Sequence, residues 1–217
     1  MQSQAKSILD TLVKRAEERP DRSRQPTQRV DEGKINPLDL DSFHVSLRQA
    51  EKLGAISLDW GRRELSHVLE RVRLVDANKA CRALGISPAV EQASKSANEV
   101  RHGINGEQAA WNWAASIIDE MEDAWRRRKT SFGVDVSHPN DAIAAIRAVQ
   151  AIKDRVHEGL DMRTFSRRAL GDTKAVERVS GPIIAICRRE FDLHELGYNQ
   201  VFEAIGLAKF PQPVLVS

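Results

Sequence analysis

Apolar residues recur at helical spacing over most of this chain, interrupted by one stretch in which they alternate with polar ones. Between Gln4 and Glu18, Ile8, Leu9, Leu12, Val13 and Ala16 share a face and Pro20 ends the pattern, which predicts a first helix. Asn36-Pro37 then offers an N-cap acceptor and a preset first helical residue, and Asp39 puts a carboxylate in the first turn. Leu40, Phe43, Leu47, Ala50 and Leu53 follow every three or four residues up to Gly54, so a second helix is expected there. From Ala55 to Trp60 apolar and polar residues alternate, Gly61-Arg62-Arg63 offers a turn, and Leu65 to Val75 continues with period two, which predicts a β-hairpin. A helix running directly into a two-stranded hairpin is the layout of a winged helix.

The rest of the chain is helical in pattern. Asp76 is placed to cap a short helix over Ala77 to Leu84, which stops at Gly85 and closes a winged-helix domain over 1–86. Ser87 to Val100 is helix-compatible, and His102-Gly103-Ile104-Asn105-Gly106 is expected to break it with a turn. Trp111, Ala115, Ile118, Met121 and Trp125 then line one face between Glu107 and Lys129. Asn140 is placed to cap a helix over Asp141 to Glu158, with Ile143, Ile146, Val149, Ile152 and Val156 as its stripe. The two long helices suggest an antiparallel arm, so 87–158 is taken as a helical arm or linker. In Met162 to Glu177, Gly171 permits a sharp turn and Asp172 or Thr173 can cap the next helix, which Ser180-Gly181-Pro182 should kink or divide. The fold class is therefore mainly α with a small β-hairpin wing, ending in a helix-turn-helix-like domain over 159–217.

Charge and composition narrow the chemistry. A net charge of +2, from 33 basic and 31 acidic residues, excludes a polycation, so any nucleic-acid contact must be a local patch. Cys81 and Cys187 lie far apart and outside any CxxC spacing, which argues against a disulfide framework or a zinc site and for a reducing compartment. No apolar run approaches the ~20 residues of a membrane span and no signal-peptide pattern opens the chain, so a cytoplasmic protein with no membrane partner is expected. His44, His67, His102, His138, His157 and His194 form no ligand spacing, no Gly-rich phosphate loop occurs, and Tyr198 has no evident activating partner. No catalytic constellation and no metal site is visible, and no cofactor is expected for this chain.

Candidate DNA contacts are Arg48 and Lys52 on the second helix, whose counterpart in a winged helix enters the major groove, and Arg62 and Arg63 on the hairpin tip. The plainer reading makes them solvated charges on a fold that only mediates protein contacts, since Asp39, Asp41 and Glu51 dilute the helix. Residues 19–35 carry Arg19, Arg22, Arg24 and Arg29 among turn formers: a mobile connector, or alternatively a basic arm tracking a phosphate backbone. Arg163, Arg167 and Arg168 precede the Gly171 turn, and Lys174 is expected in the first turn of the next helix, near free backbone N–H groups where a phosphate could bind. There too the alternative is a surface helix and a structural turn. Arg126-Arg127-Arg128-Lys129 reads as a charge cap at a helix C-terminus, with a phosphate contact as the alternative, and Trp111, Trp113 and Trp125 read as packing rather than base stacking.

The winged-helix pattern together with the phrase SRRALGDTKAVE, an apolar helix and a short FEAIGL segment resembles the N-terminal portion of the JetD family, the Toprim-bearing subunits of bacterial Wadjet anti-plasmid systems. Ser166, Gly171, Asp172, Thr173, Lys174 and Glu177 carry the most specific part of that resemblance. It implies arm and CAP-like winged-helix domains ahead of a Toprim domain, double-stranded DNA and an SMC-like motor complex as partners, and a homodimer. It also implies a parent protein that is a metal-dependent DNA endonuclease related to the A subunit of topoisomerase six, with Mg²⁺ or a similar cation bound in the Toprim domain. The Toprim acidic cluster has no counterpart here, and Pro213 to Ser217 look like a strand entering a further domain. The expectation is thus a DNA-positioning and subunit-docking region without its own catalysis. A stand-alone winged-helix regulator and a protein-interaction module that binds no DNA are the alternatives.

Overall fold

The structure, a computed structural model, describes residues 1–62, 66–104 and 111–207. Arg63, the expected turn residues Asn105 and Gly106, and Pro213 to Ser217 lie outside the described residues. The chain is mainly helical with one small antiparallel sheet, and it divides into two compact units, Met1–Gln92 with Arg126–Arg128, and Ala93–Trp125 with Lys129 onward.

In the first unit, α1 (Ser3–Glu18) is capped by the Gln2 carboxamide, which accepts from Ala5 N at 2.9 Å, and buries Ala5, Ile8, Leu9, Leu12 and Val13. Asn36 accepts from Leu38 N at 3.0 Å and starts a single 3-10 turn (Pro37–Asp39) ahead of α2 (Leu40–Lys52), which buries Phe43, Leu47 and Ala50. Gly54 ends α2 in the left-handed conformation (φ 70°). The N–H groups of Gly54 and Ala55 return to the carbonyls of Glu51 and Ala50, closing a Schellman motif. α3 (Ala77–Leu84) starts under the Asp76 carboxylate, stops at left-handed Gly85, and packs on α1.

The hairpin gains a third strand. β1 (Thr27–Arg29) pairs antiparallel with β3 (Leu69–Leu74), which pairs antiparallel with β2 (Ile56–Trp60), giving the order β1-β3-β2. Residues 19–35 are therefore not a plain connector. They contribute an edge strand that Pro26 can begin because its missing N–H is not needed by the ladder, and its carbonyl accepts from Leu74 N at 3.0 Å. Among the described residues the second strand of the hairpin starts at Leu69, after Ser66 and His67 in a turn and with Gly61 N reaching Val68 O at 2.9 Å, while Leu65 lies outside the described residues. Leu58, Val72 and Leu74 turn into the core, while Asp59, Arg29, Arg71 and Arg73 alternate onto the opposite face of the sheet. Glu32 fastens the unit, accepting from Leu69 N at 2.8 Å and standing 2.7 Å from Nε2 of His44.

In the second unit, α4 (Ala89–Ile104, from Ala93 on), α5 (Asn112–Arg126, to Trp125), α6 (Pro139–Lys153), α7 (Met162–Leu170), α8 (Ala175–Arg178), α9 (Ser180–Glu190) and α10 (Tyr198–Ala204) share one apolar core. α6 packs chiefly on α9 and α7, and buries Ala142, Ala145 and Ala148 along with Ile146, Val149 and Ile152. Those alanines widen its inward face beyond the isoleucine and valine stripe and let neighbours approach. α6 starts at Pro139 and ends at Lys153, so Val156 lies past it. Gly103 does not break α4. It lies against the Ile143 side chain, where an added Cβ would collide, and its carbonyl accepts from Arg147 at 2.8 Å, so the missing side chain serves helix packing. Ser180-Gly181-Pro182 divides α8 from α9 at Val179, as the proline requires.

Candidate nucleic-acid interface

The two basic positions of α2 are exposed, and one is held in place. Arg48 lays its guanidinium 5.1 Å from the Trp60 ring centre, which ties the basic end of the helix to β2. Lys52 is exposed at the helix C-terminus, and Arg62 is exposed where β2 leaves the sheet. The opposite end of the same exposed face is different. Leu38 is 90% and Val45 64% exposed, beside Asp41.

The turn from α7 to α8 is built around a buried serine. The Ser166 hydroxyl, fully buried, donates to Asp172 O at 2.5 Å and accepts from Val176 N at 3.0 Å. Gly171 closes α7 at φ 76°. The Asp172 carboxylate accepts from Lys174 N at 3.0 Å and from Arg178 at 2.5 Å, and those donors hold its pKa below the usual 3.8, the Lys174 N–H most of all. Lys174 therefore does not sit in a first turn among free N–H groups. It precedes a helix of four residues, and an internal carboxylate takes the place expected for a phosphate. Arg167 and Arg168 are exposed in the last turn of α7, and Lys174 is exposed; no ion pair engages any of them among the described residues.

Two further aspartates of the second unit are held below the ordinary 3.8: Asp161, by the hydroxyl and backbone N–H of Thr164, and Asp135, by the backbone N–H and hydroxyl of Ser137. A depressed folded-state pKa contributes stability that is present above the unfolded value and lost as pH falls through the folded one. The contribution of these three carboxylates to the second unit should thus be lost only as pH falls below about 4. Asp135→Asn, Asp161→Asn and Asp172→Asn together should flatten the acid limb of an unfolding titration followed by circular dichroism. An unchanged limb would remove these groups as its cause.

Another concentration of positive charge lies in the first unit. Arg15 of α1, Arg22 and Arg24 of the following loop, and Arg71 and Arg73 of β3 converge on a cleft of about 970 Å³. Arg15 is anchored to Thr27 O at 3.3 Å and Arg73 pairs with Asp59 at 3.2 Å. Among the described residues no carboxylate pairs with Arg22, Arg24 or Arg71, and no carboxylate lines the cleft. Arg22 and Arg24 belong to the stretch whose spacing suggested a basic arm. Arg15, Arg71 and Arg73 carried no such signal, because the pairing of β1 with β3 brings Arg71 and Arg73 there and the bond to Thr27 O brings Arg15.

Other chemistry is muted. Cys81 and Cys187 are buried free thiols, and burial pushes Cys187 up to about 12, far from thiolate reactivity. Trp125 is 1% exposed and its indole N–H donates to Val134 O at 3.0 Å, which places it in the core. Trp113, partly buried, donates to Gln150 at 2.7 Å, and Lys153 stands 4.7 Å from its ring centre. The Tyr198 hydroxyl donates to Ser180 Oγ at 2.5 Å. Among the described residues no group of three or more His, Cys, Asp or Glu could hold a metal ion, and no helix is long and apolar enough to cross a membrane.

No curated protein and no solved structure matches the chain. A family model does, over residues 11–187, and the chain belongs to that family, described as "Uncharacterized protein conserved in bacteria N-term (DUF3322)".

Proposed function

We propose that this chain is the DNA-binding and subunit-docking N-terminal region of a Wadjet-like, plasmid-cleaving nuclease subunit. In this reading the first unit is a winged helix that positions duplex DNA, and Arg167, Arg168 and Lys174 add weaker backbone contacts. Strand scission and its Mg²⁺-type cation belong to a Toprim domain outside this chain, and an SMC-like motor complex and a second copy of the subunit are the protein partners in the cytoplasm. The observation that carries it is the contact of Arg48 with Trp60, which ties the basic end of α2 to the hairpin strand that leads to Arg62. The order α1-β1-α2-β2-β3 with strands β1-β3-β2 agrees with a winged helix, and a bacterial family described by its N-terminal part agrees with a region ahead of further domains.

Binding to short duplexes of unrelated sequence across a salt series tests it, with Lys52→Glu/Arg62→Glu alongside. Equal binding to the sequences, a fall with salt, and a variant slope of log K against log salt shallower by about 0.9 per lost contact are expected. One strongly preferred sequence would point instead to a stand-alone regulator. A second reading, a docking module without DNA, draws on exposed Leu38 and Val45, and absence of duplex binding at every salt concentration would leave it standing.

A further inference from the structure

We propose that the arginine-lined cleft of the first unit is a second anion site, one that takes the sugar–phosphate backbone of a nucleic-acid strand along the open face of the sheet; this rests on the DNA reading above. Five guanidinium groups repel one another around a single cleft, and the near-balance of charge in the chain as a whole does nothing to relieve them locally. Among the described residues only Arg73 has a carboxylate partner, Asp59, outside the lining. Such a patch, in which four of the five guanidinium groups have no carboxylate partner among the described residues, is complementary to an external polyanion.

The residue types specify which polyanion. Each cation is an arginine, whose planar fork engages phosphate oxygens with two parallel donors. Ser23, Gln25 and Thr27 interleave neutral donors of the kind that contact phosphate and sugar. Among the described residues no aromatic ring lines the cleft to stack a base and no carboxylate is there to take a ribose hydroxyl or hold a cation, so a mononucleotide would find only its phosphates recognised. Pro26 is the one apolar residue of the lining among the described residues, so little there would enter a lipid surface. The surface is thus suited to recognising successive phosphates without reading bases.

The sheet sets the spacing. Arg71 and Arg73 lie two residues apart on the same face of β3, roughly 6.8 Å by strand rise, and Arg29 stands directly opposite Arg71 on β1, which extends the row. Arg15 and Arg73 are fixed by Thr27 O and Asp59, so two of the five guanidinium groups are positioned before any ligand arrives.

The test uses the full chain and labelled duplexes of two unrelated sequences over a salt series. Arg22→Gln/Arg24→Gln changes only exposed loop positions; adding Arg71→Gln extends the loss to β3. The loop pair should weaken both duplexes by the same factor, roughly tenfold at low salt, and each arginine removed should make the salt slope shallower by about 0.9. If the loop pair and the triple variant bind with unchanged slope while Lys52→Glu/Arg62→Glu is weakened, the cleft is not a phosphate site and the DNA reading survives. If the wild type binds neither duplex at any salt, the DNA reading fails and this inference with it.

Discussion

Trp125→Ala is expected to lower the unfolding free energy of the second unit by about 3–5 kcal/mol. The ring is 1% exposed and belongs to a core with Ile117, Ile118, Met121 and Phe165, so truncation opens a cavity that rigid helices cannot collapse to fill. The same change removes the indole donor from Val134 O, at a residue only 2% exposed, and leaves that carbonyl the Ser131 N–H at 3.1 Å. Urea denaturation followed by far-ultraviolet circular dichroism should show a lower midpoint at nearly unchanged slope. Trp125→Phe separates packing from nucleic-acid contact. It keeps an aromatic face, loses the N–H, and should cost less while leaving duplex binding unchanged. A Trp125→Phe chain of wild-type stability with weakened duplex binding would put the indole at a base.

The elements legible in the sequence were those whose ends are decided locally. Asn36-Pro37 and Gly54 bracket α2, and Asp76 and Gly85 bracket α3, because a cap is a contract between residues a few positions apart. β1 was not legible. Thr27, Gln28 and Arg29 offer no apolar face, and the strand exists because β3 supplies its hydrogen bonds from a distant part of the chain. Gly103 shows the same limit from the other side. As a local signal it marks a break, and only the approach of Ile143 from α6 explains why a helix keeps a glycine there.

The candidate surface divides likewise. Arg48, Lys52 and Arg62 were reachable from helix periodicity and the hairpin pattern, since each follows from its own element. The cleft was only half visible. Arg22 and Arg24 stood out as a run of cations in a turn-rich segment, whereas Arg71 and Arg73 look in sequence like the outward half of any amphipathic strand. Register Thr27↔Arg73 and Arg29↔Arg71 brings the two sets together, and register between strands of distant sequence is set by the whole core of the unit.

The phrase SRRALGDTKAVE has a structural explanation that Ser166→Ala tests, with an expected cost of about 1–3 kcal/mol. The serine hydroxyl is both donor and acceptor in a site with no exposure, so alanine leaves the Val176 N–H and the Asp172 carbonyl without it, and no water can easily replace a group at 0% exposure. Gly171 and Asp172 complete the same turn, the first through its left-handed backbone and the second by holding Lys174 N and Arg178. Lys174, exposed and bonded there only through its backbone, is a different case: Lys174→Ala should change stability by less than about 0.5 kcal/mol. Denaturation midpoints of the two variants, read beside their duplex affinities, separate a turn-building phrase from a phosphate-binding one. A destabilised Ser166→Ala beside a stable Lys174→Ala with wild-type affinity assigns the phrase to folding. A stable Ser166→Ala, or a Lys174→Ala that folds normally and loses duplex binding, returns it to recognition.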